Sequence, residues 1–174
     1  AMDIVREVLG GKVNQELVAA INQHGNLAVG VSGSDAGTLI ASTLDPELQR
    51  VGKIESVNVD YIERLIDGEY IPVIATIAKG EDGGFYNINA DIAAGAIAGA
   101  LRAHKVIFLT DVDGLYEDFS DKSSLISNLT LDECQGMLDR GEIDTGMIPK
   151  LNACIEAVKA GVFRAHIING TTPH

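Results

Sequence analysis

The chain has 174 residues, 46% of them hydrophobic and 22% charged, with no tryptophan, which suffices for one compact core without disulfide or metal staples. Thirteen Lys and Arg against twenty-five Asp and Glu leave a net charge of −12, a field that repels nucleic-acid backbones and anionic membrane surfaces and so excludes both as expected partners. The same field disfavours anionic ligands at long range, so a phosphate site has to be built locally from backbone N–H groups, a lysine and a divalent cation.

Ala1 before Met2 resembles a residue left by tag removal and is set apart from fold reasoning. Apolar residues at Val13, Leu17, Val18, Ala20 and Ile21 recur at helical spacing and predict a helix over 13–24, with Gly25 as its C-cap. Leu27–Val31 reads as a strand, Ser32-Gly33-Ser34-Asp35-Ala36-Gly37 as a turn-rich loop and Thr38–Ser42 as a second strand. Asp45-Pro46 marks a turn, Gln49–Val57 alternates weakly, and Asp60–Ile66 carries a short helical pattern ending near Gly68. The continuous run Ile71–Ile77, with Pro72 at its start, predicts one central strand buried on both faces. Gly80-Glu81-Asp82-Gly83-Gly84 is a tight turn before Phe85–Asn89.

Ala90–Leu101 is a small-residue helix whose Gly95 and Gly99 point to close packing against a neighbour. Val106–Thr110 is a second buried strand, and helices over 131–138 and 147–160, stopped by Gly141 and Gly161, lead to a last strand at Ala165–Ile168. Alternating strands and helices argue an α/β fold with a mainly parallel sheet and a single domain over 1–174.

Three constellations carry chemistry. In Asn87-Ile88-Asn89-Ala90-Asp91, period two puts both asparagines on one face at a strand end, and Asp91 falls in the first turn of the next helix. Asn89 as a plain N-cap and Asp91 as a dipole-compensating acid fit the same spacing. Thr110-Asp111-Val112-Asp113-Gly114-Leu115-Tyr116 supplies hydroxyl, carboxylates and backbone donors at the carboxyl end of a strand, where open α/β sheets hold ligands, and Tyr116 can lie beside a base or ribose. An ordinary Asp-rich loop fits as well. In Gly146-Met147-Ile148-Pro149-Lys150, Pro149 suits a first helical turn and brings Lys150 to a helix N-terminus, where a cation opposes the dipole but suits a phosphate; a solvated surface lysine is the plain alternative.

Two signals are set aside. Gly10-Gly11-Lys12 lacks the earlier glycine of a Walker A loop, since Arg6 stands there. His24, His104, His166 and His174 have no ligand-spaced partner, so no metal-binding residue is assigned. Cys134 and Cys154 form no C-x-x-C pair, and no apolar run reaches about 18 residues, so a reducing, cytoplasmic setting is expected.

Taken in order, these three motifs strongly resemble the motif series of the acetylglutamate kinases. Gly11-Lys12-Val13-Asn14, Ile21-Asn22-Gln23-His24-Gly25, Val29-Gly30-Val31-Ser32-Gly33 and His166-Ile167-Ile168-Asn169-Gly170 extend the likeness over nearly the whole chain. The resemblance implies an αβα sandwich of the amino-acid-kinase type and a homo-oligomeric enzyme of arginine biosynthesis. Such an enzyme uses ATP and Mg²⁺ to phosphorylate the side-chain carboxylate of N-acetyl-L-glutamate.

By that likeness Lys150 stabilises transition-state charge, Asp91 orients the lysines around the phosphoryl group, and Asn87 and Asn89 hold acetylglutamate. Thr110, Asp111, Val112, Gly114, Leu115 and Tyr116, with Asp144 and Met147, line the nucleotide site. The family's N-terminal Lys-x-Gly-Gly strand, its substrate-gripping Arg and its final helix and strand have no counterpart between Met2 and His174. The likeness therefore implies a chain cut at both ends and inactive alone. A non-catalytic nucleotide-binding fragment, or a relative acting on carbamate, aspartate or a nucleoside monophosphate, are the alternatives.

Overall fold

The computed structural model describes residues 1–118 and 120–173. Its contacts divide the chain into two compact units, Ala1–Ala93 and Ala94–His174. The α/β class with mainly parallel pairing is as expected.

The first unit opens with an unbroken helical run: α1 (Met2–Val5), a π-helical stretch Arg6–Val13, and α2 (Asn14–Asn22). Helix thus begins well before the predicted Val13. Of the apolar positions that predicted it, Val13 and Leu17 are exposed. Docking of α2 uses two amides beside the half-buried Val18 and Ile21. Asn14 is buried and its Nδ2 donates to Val73 O (2.7 Å). Asn22 accepts from Ala28 N (2.7 Å) and donates to Ala28 O (3.1 Å). Both tie the helix to the parallel pair β1 (Ala28–Ser32) and β4 (Ile71–Ala75). The approach is close: a Cβ on Gly30 would lie 2.1 Å from Asn14 Oδ1, so a side chain there would have to displace the amide that ties α2 to the strands.

A four-stranded sheet runs β3 (Gly52–Val57), β2 (Leu39–Thr43), β5 (Ile77–Gly80), β6 (Phe85–Asn87). Here the sequence reading needs correction. The run Ile71–Ile77 is not one strand, since β4 ends at Ala75 in the first pair and β5 starts at Ile77 in this second sheet. Thr76 is the switch, and its carbonyl accepts from Ile88 N (3.0 Å). A continuous apolar run signals burial on both faces but holds no mark of the residue at which a chain changes sheets. Helix α3 (Asp60–Asp67) matches its predicted pattern.

In the second unit β7 (Lys105–Thr110) pairs in parallel with β8 (Arg164–Asn169), from Lys105↔Arg164 to Thr110↔Asn169. Alternation along β7 buries Val106 and Phe108 beside Ala98, Ala153, Cys154, Ala157 and Val162. These come from α4 (Ala90–Ala100), which crosses the boundary between the units, from α6 (Ile148–Lys159) and from the turn after α6. The predicted close packing of the small-residue helix is present, for Cβ atoms on Gly95 and Gly99 would lie 3.0 Å from Ala153 O and 2.7 Å from Ala160 Cβ.

Helix α5 (Leu131–Asp139) starts on a capping box in which Glu133 N donates to Thr130 Oγ1 and Thr130 N donates to Glu133 Oε2 (2.7 Å). The Thr130 backbone N–H and hydroxyl hold the Glu133 carboxyl below its usual value, since both favour the charged form. A second cluster, Met137, Ile143, Met147, Leu151 and Ile155, fixes α5 against α6. Gly141 (φ +69°) and Gly161 (φ +106°) follow the ends of these helices in left-handed backbone, the glycine stop the sequence signalled. Cys134 and Cys154 are buried as separate thiols.

Candidate functional site

The first unit carries Asn87, Asn89 and Asp91. Asn87 closes β6, where it pairs with Ile77 and bridges to Val51, and its N–H donates to Arg50 O (2.8 Å). Asn89 leaves the strand and caps α4, its Oδ1 accepting from Asp91 N (2.9 Å) and Ile92 N (3.1 Å). The N-cap role open at the sequence level is therefore real, and it leaves the amide Nδ2 for other contacts. Asp91 is half-buried in the first turn of α4.

The second unit carries the remaining candidates. Where β7 and β8 end side by side, Gly170 N donates to Thr110 O (2.8 Å) and both chains leave the sheet. Thr110 Oγ1 donates to Asp111 Oδ1 (3.2 Å); Asp111 is exposed and Val112 half-buried. Val112 and Leu115 pack against the Met137 cluster and pin the loop from beneath.

Between them Asp113 collects two donors, Asn169 Nδ2 at 2.8 Å and Tyr116 Oη at 3.0 Å. The Asn169 amide first, then the Tyr116 hydroxyl, holds the Asp113 carboxyl below the usual aspartate value, as donors to a carboxylate do. Burial, joined by the bond to Asp113, pushes the Tyr116 phenol up. Tyr116 is itself buried, bridged to Leu125, with Lys122 Nζ 4.4 Å from its ring centre. Its ring is thus part of the wall holding the loop, and its hydroxyl faces the loop's own carboxylate.

Asp144 is exposed and opens the approach to α6: its Oδ1 accepts from Gly146 N (2.8 Å), and its carbonyl accepts from Met147 N and Ile148 N. Met147 caps the helix and sinks its side chain into the cluster with Leu151. Pro149 occupies the first turn as predicted, and Lys150 is half-buried beside it.

A cavity of about 610 Å³ adjoins the loop, lined by Gly114 and Leu115 on one side and by Thr130, Cys134, Leu151 and His166 among others. That volume falls in the range of small-molecule pockets. His166 Nε2 is buried there without a hydrogen-bond partner among the described residues.

Sequence reasoning assigned no role to Asn169 or His166 and read Asp113 as one carboxylate of the loop 110–116, without the bonds it makes. The Thr110↔Asn169 register is what brings Asn169 to the loop, and no local pattern announces it.

The profile of the amino acid kinase family matches residues 1–169. Among curated relatives, the chain is 53% identical over 175 residues to the acetylglutamate kinase of Caldanaerobacter subterraneus subsp. tengcongensis, covering 99% of this chain and 58% of that protein. It is 49% identical over 180 residues to that of Corynebacterium jeikeium, covering 99% and 56%. The chain thus spans a little over half the length of the curated relatives it matches.

Among solved structures, smu.665 from Streptococcus mutans UA159 superposes with a TM-score of 0.86 at 30% identity, over 98% of this chain and 69% of that one. Carbamate kinase from Giardia lamblia bound to AMP-PNP gives 0.73 at 16% identity, over 92% and 64%, a likeness of fold alone. With the family profile spanning nearly every residue, the chain belongs to the amino acid kinase family.

Proposed function

We propose that this chain forms the nucleotide-holding part of an acetylglutamate kinase, an arginine-biosynthetic enzyme that moves the γ-phosphoryl group of ATP to the side-chain carboxylate of N-acetyl-L-glutamate. The observation that carries this reading is the 53% identity over 99% of the chain with a protein named for that activity.

In this reading ATP lies along Thr110, Asp111, Val112, Gly114, Leu115 and Tyr116, with Asp144 and Met147 at the start of α6. Support comes from their position at the carboxyl end of the parallel strand β7, where open α/β sheets receive ligands. The described residues offer no cluster of three His, Cys, Asp or Glu for a resident metal. Mg²⁺ in this reading is held by substrate phosphates and water and screens phosphate charge when bound.

Lys150 then balances charge on the transferring group as a carboxylate oxygen of the substrate bonds to phosphorus and the bond to the ADP oxygen breaks. Asp91 orients the lysines, and Asn87 and Asn89 hold acetylglutamate, Asn89 through the Nδ2 that its capping leaves over. A homo-oligomer in the cytoplasm completes the reading, supported by the apolar side chains Ile4, Val8 and Leu17 exposed on the first helical run; no described helix is long and apolar enough to cross a membrane.

The test is a coupled ADP-release assay on the chain completed to the length of its relatives. The reading expects release that depends on N-acetyl-L-glutamate and is absent with carbamate or aspartate. Equal or greater release with either of those acceptors would assign the enzyme another substrate.

A further inference from the structure

We propose that Asn169 and Asp113 are positioning residues, a clamp across the ends of β7 and β8 that holds the loop 110–116 in its nucleotide-receiving shape. The inference rests on the nucleotide reading of that loop and names two side chains which that reading leaves without a task.

The loop needs such a device. Gly114 sits at φ +149°, backbone that glycine enters freely and other residues rarely adopt, so its own torsions do not lock the segment. The sheet ends at the Thr110↔Asn169 pair, and beyond it ladder hydrogen bonding stops. What continues the connection is a chain of side-chain bonds. Thr171 N and Thr171 Oγ1 donate to Asn169 Oδ1 at 2.9 and 2.6 Å. With its oxygen so engaged, the amide turns Nδ2 toward Asp113 and donates to Oδ1 at 2.8 Å, across 56 residues of sequence. Asp113 Oδ2 takes the Tyr116 hydroxyl at 3.0 Å, and Tyr116 is buried.

The clamp thus runs from the end of β8 to a fixed aromatic wall and spans Gly114. A hydrogen bond to a charged acceptor is stronger than a neutral one, and holding a loop in its binding shape beforehand removes an ordering cost from the ligand's affinity. Thr110 and Asp111 are left at the open side of the clamp to meet a ligand.

Complementary exchange of the two groups tests this. Asn169→Asp alone sets two carboxylates against each other and is expected to weaken Mg-ADP binding to the full chain about fivefold, measured calorimetrically. Adding Asp113→Asn restores the pattern. The carboxylate placed at position 169 accepts from Thr171 and from the new amide at position 113, whose oxygen accepts from Tyr116, and affinity is expected to return to within about twofold of the parent. Urea midpoints of parent, single and double variants are expected to coincide.

Asn169→Asp binding as the parent does, a double variant that stays weak, or an affinity loss that tracks a lowered urea midpoint would each overturn the clamp. A parent that does not bind Mg-ADP would overturn the nucleotide reading instead. Hydrogen exchange then decides the clamp by itself: amides 112–116 exchanging faster in Asn169→Asp and returning to parent rates in the double variant support it, and equal rates in all three overturn it.

Discussion

Replacing Lys150 by alanine, in a chain completed to the length of the relatives, is expected to lower kcat by about 10²-fold or more while the KM for ATP changes less. The helix explains why the effect should be chemical. Lys150 stands in the first turn of α6 next to Pro149, where a cation opposes the helix dipole and costs stability rather than adding it. In the proposed reading Lys150 balances charge on the transferring phosphoryl group, and phosphoryl transfer depends mostly on positioning and charge neutralisation. Steady-state kinetics with both substrates varied check it. Near-parental kcat would remove Lys150 from the chemistry, and a rise confined to KM would recast it as a ground-state binding residue.

Phe108→Ala is expected to cost about 3–5 kcal/mol of stability, and Leu109→Ala, one residue along, less than about 0.5 kcal/mol. The two occupy opposite faces of β7. Phe108 is 4% exposed among Ala98, Ala153, Cys154, Ala157 and Val162, whereas Leu109 is 67% exposed on the opposite face. Truncating the first leaves a cavity between strand and helices; truncating the second removes atoms already in water. Since β7 delivers the loop 110–116, the same core that sets stability also sets where the loop begins. Urea unfolding followed by circular dichroism measures both, and a cost for Leu109→Ala equal to that for Phe108→Ala would place the core of this unit on the wrong side of the strand.

Much of this was legible because local chemistry and global fold agree. Pro149 announces a helix start, and Gly141 and Gly161 mark two ends, each through a backbone need that one residue type meets. Asn89 was legible as a cap for the same reason.

Failures came where the deciding contact is remote. The spacing of Val13 and Leu17 marked a helix, but nothing in it announced that α2 also docks through Asn14 and Asn22, whose partners lie in strands. The apolar run 71–77 hid a change of sheet at Thr76, because burial looks alike on either side of it. Asn169 and Asp113 stand 56 residues apart, and their meeting depends on the parallel register of β7 and β8, which the composition of neither strand reveals. The motif residues of the loop could be picked out one by one, while the bonds that hold them in shape could not.

Photolabelling with 8-azido-ATP and Mg²⁺, followed by peptide mapping, tests the central claim most directly, for it asks where on this chain a nucleotide base comes to rest. The account predicts saturable label on peptides containing residues 110–116 or 142–147, displaced by unmodified ATP. Label confined to other peptides, or label that ATP does not displace, would contradict the assignment of the nucleotide site to the carboxyl end of β7.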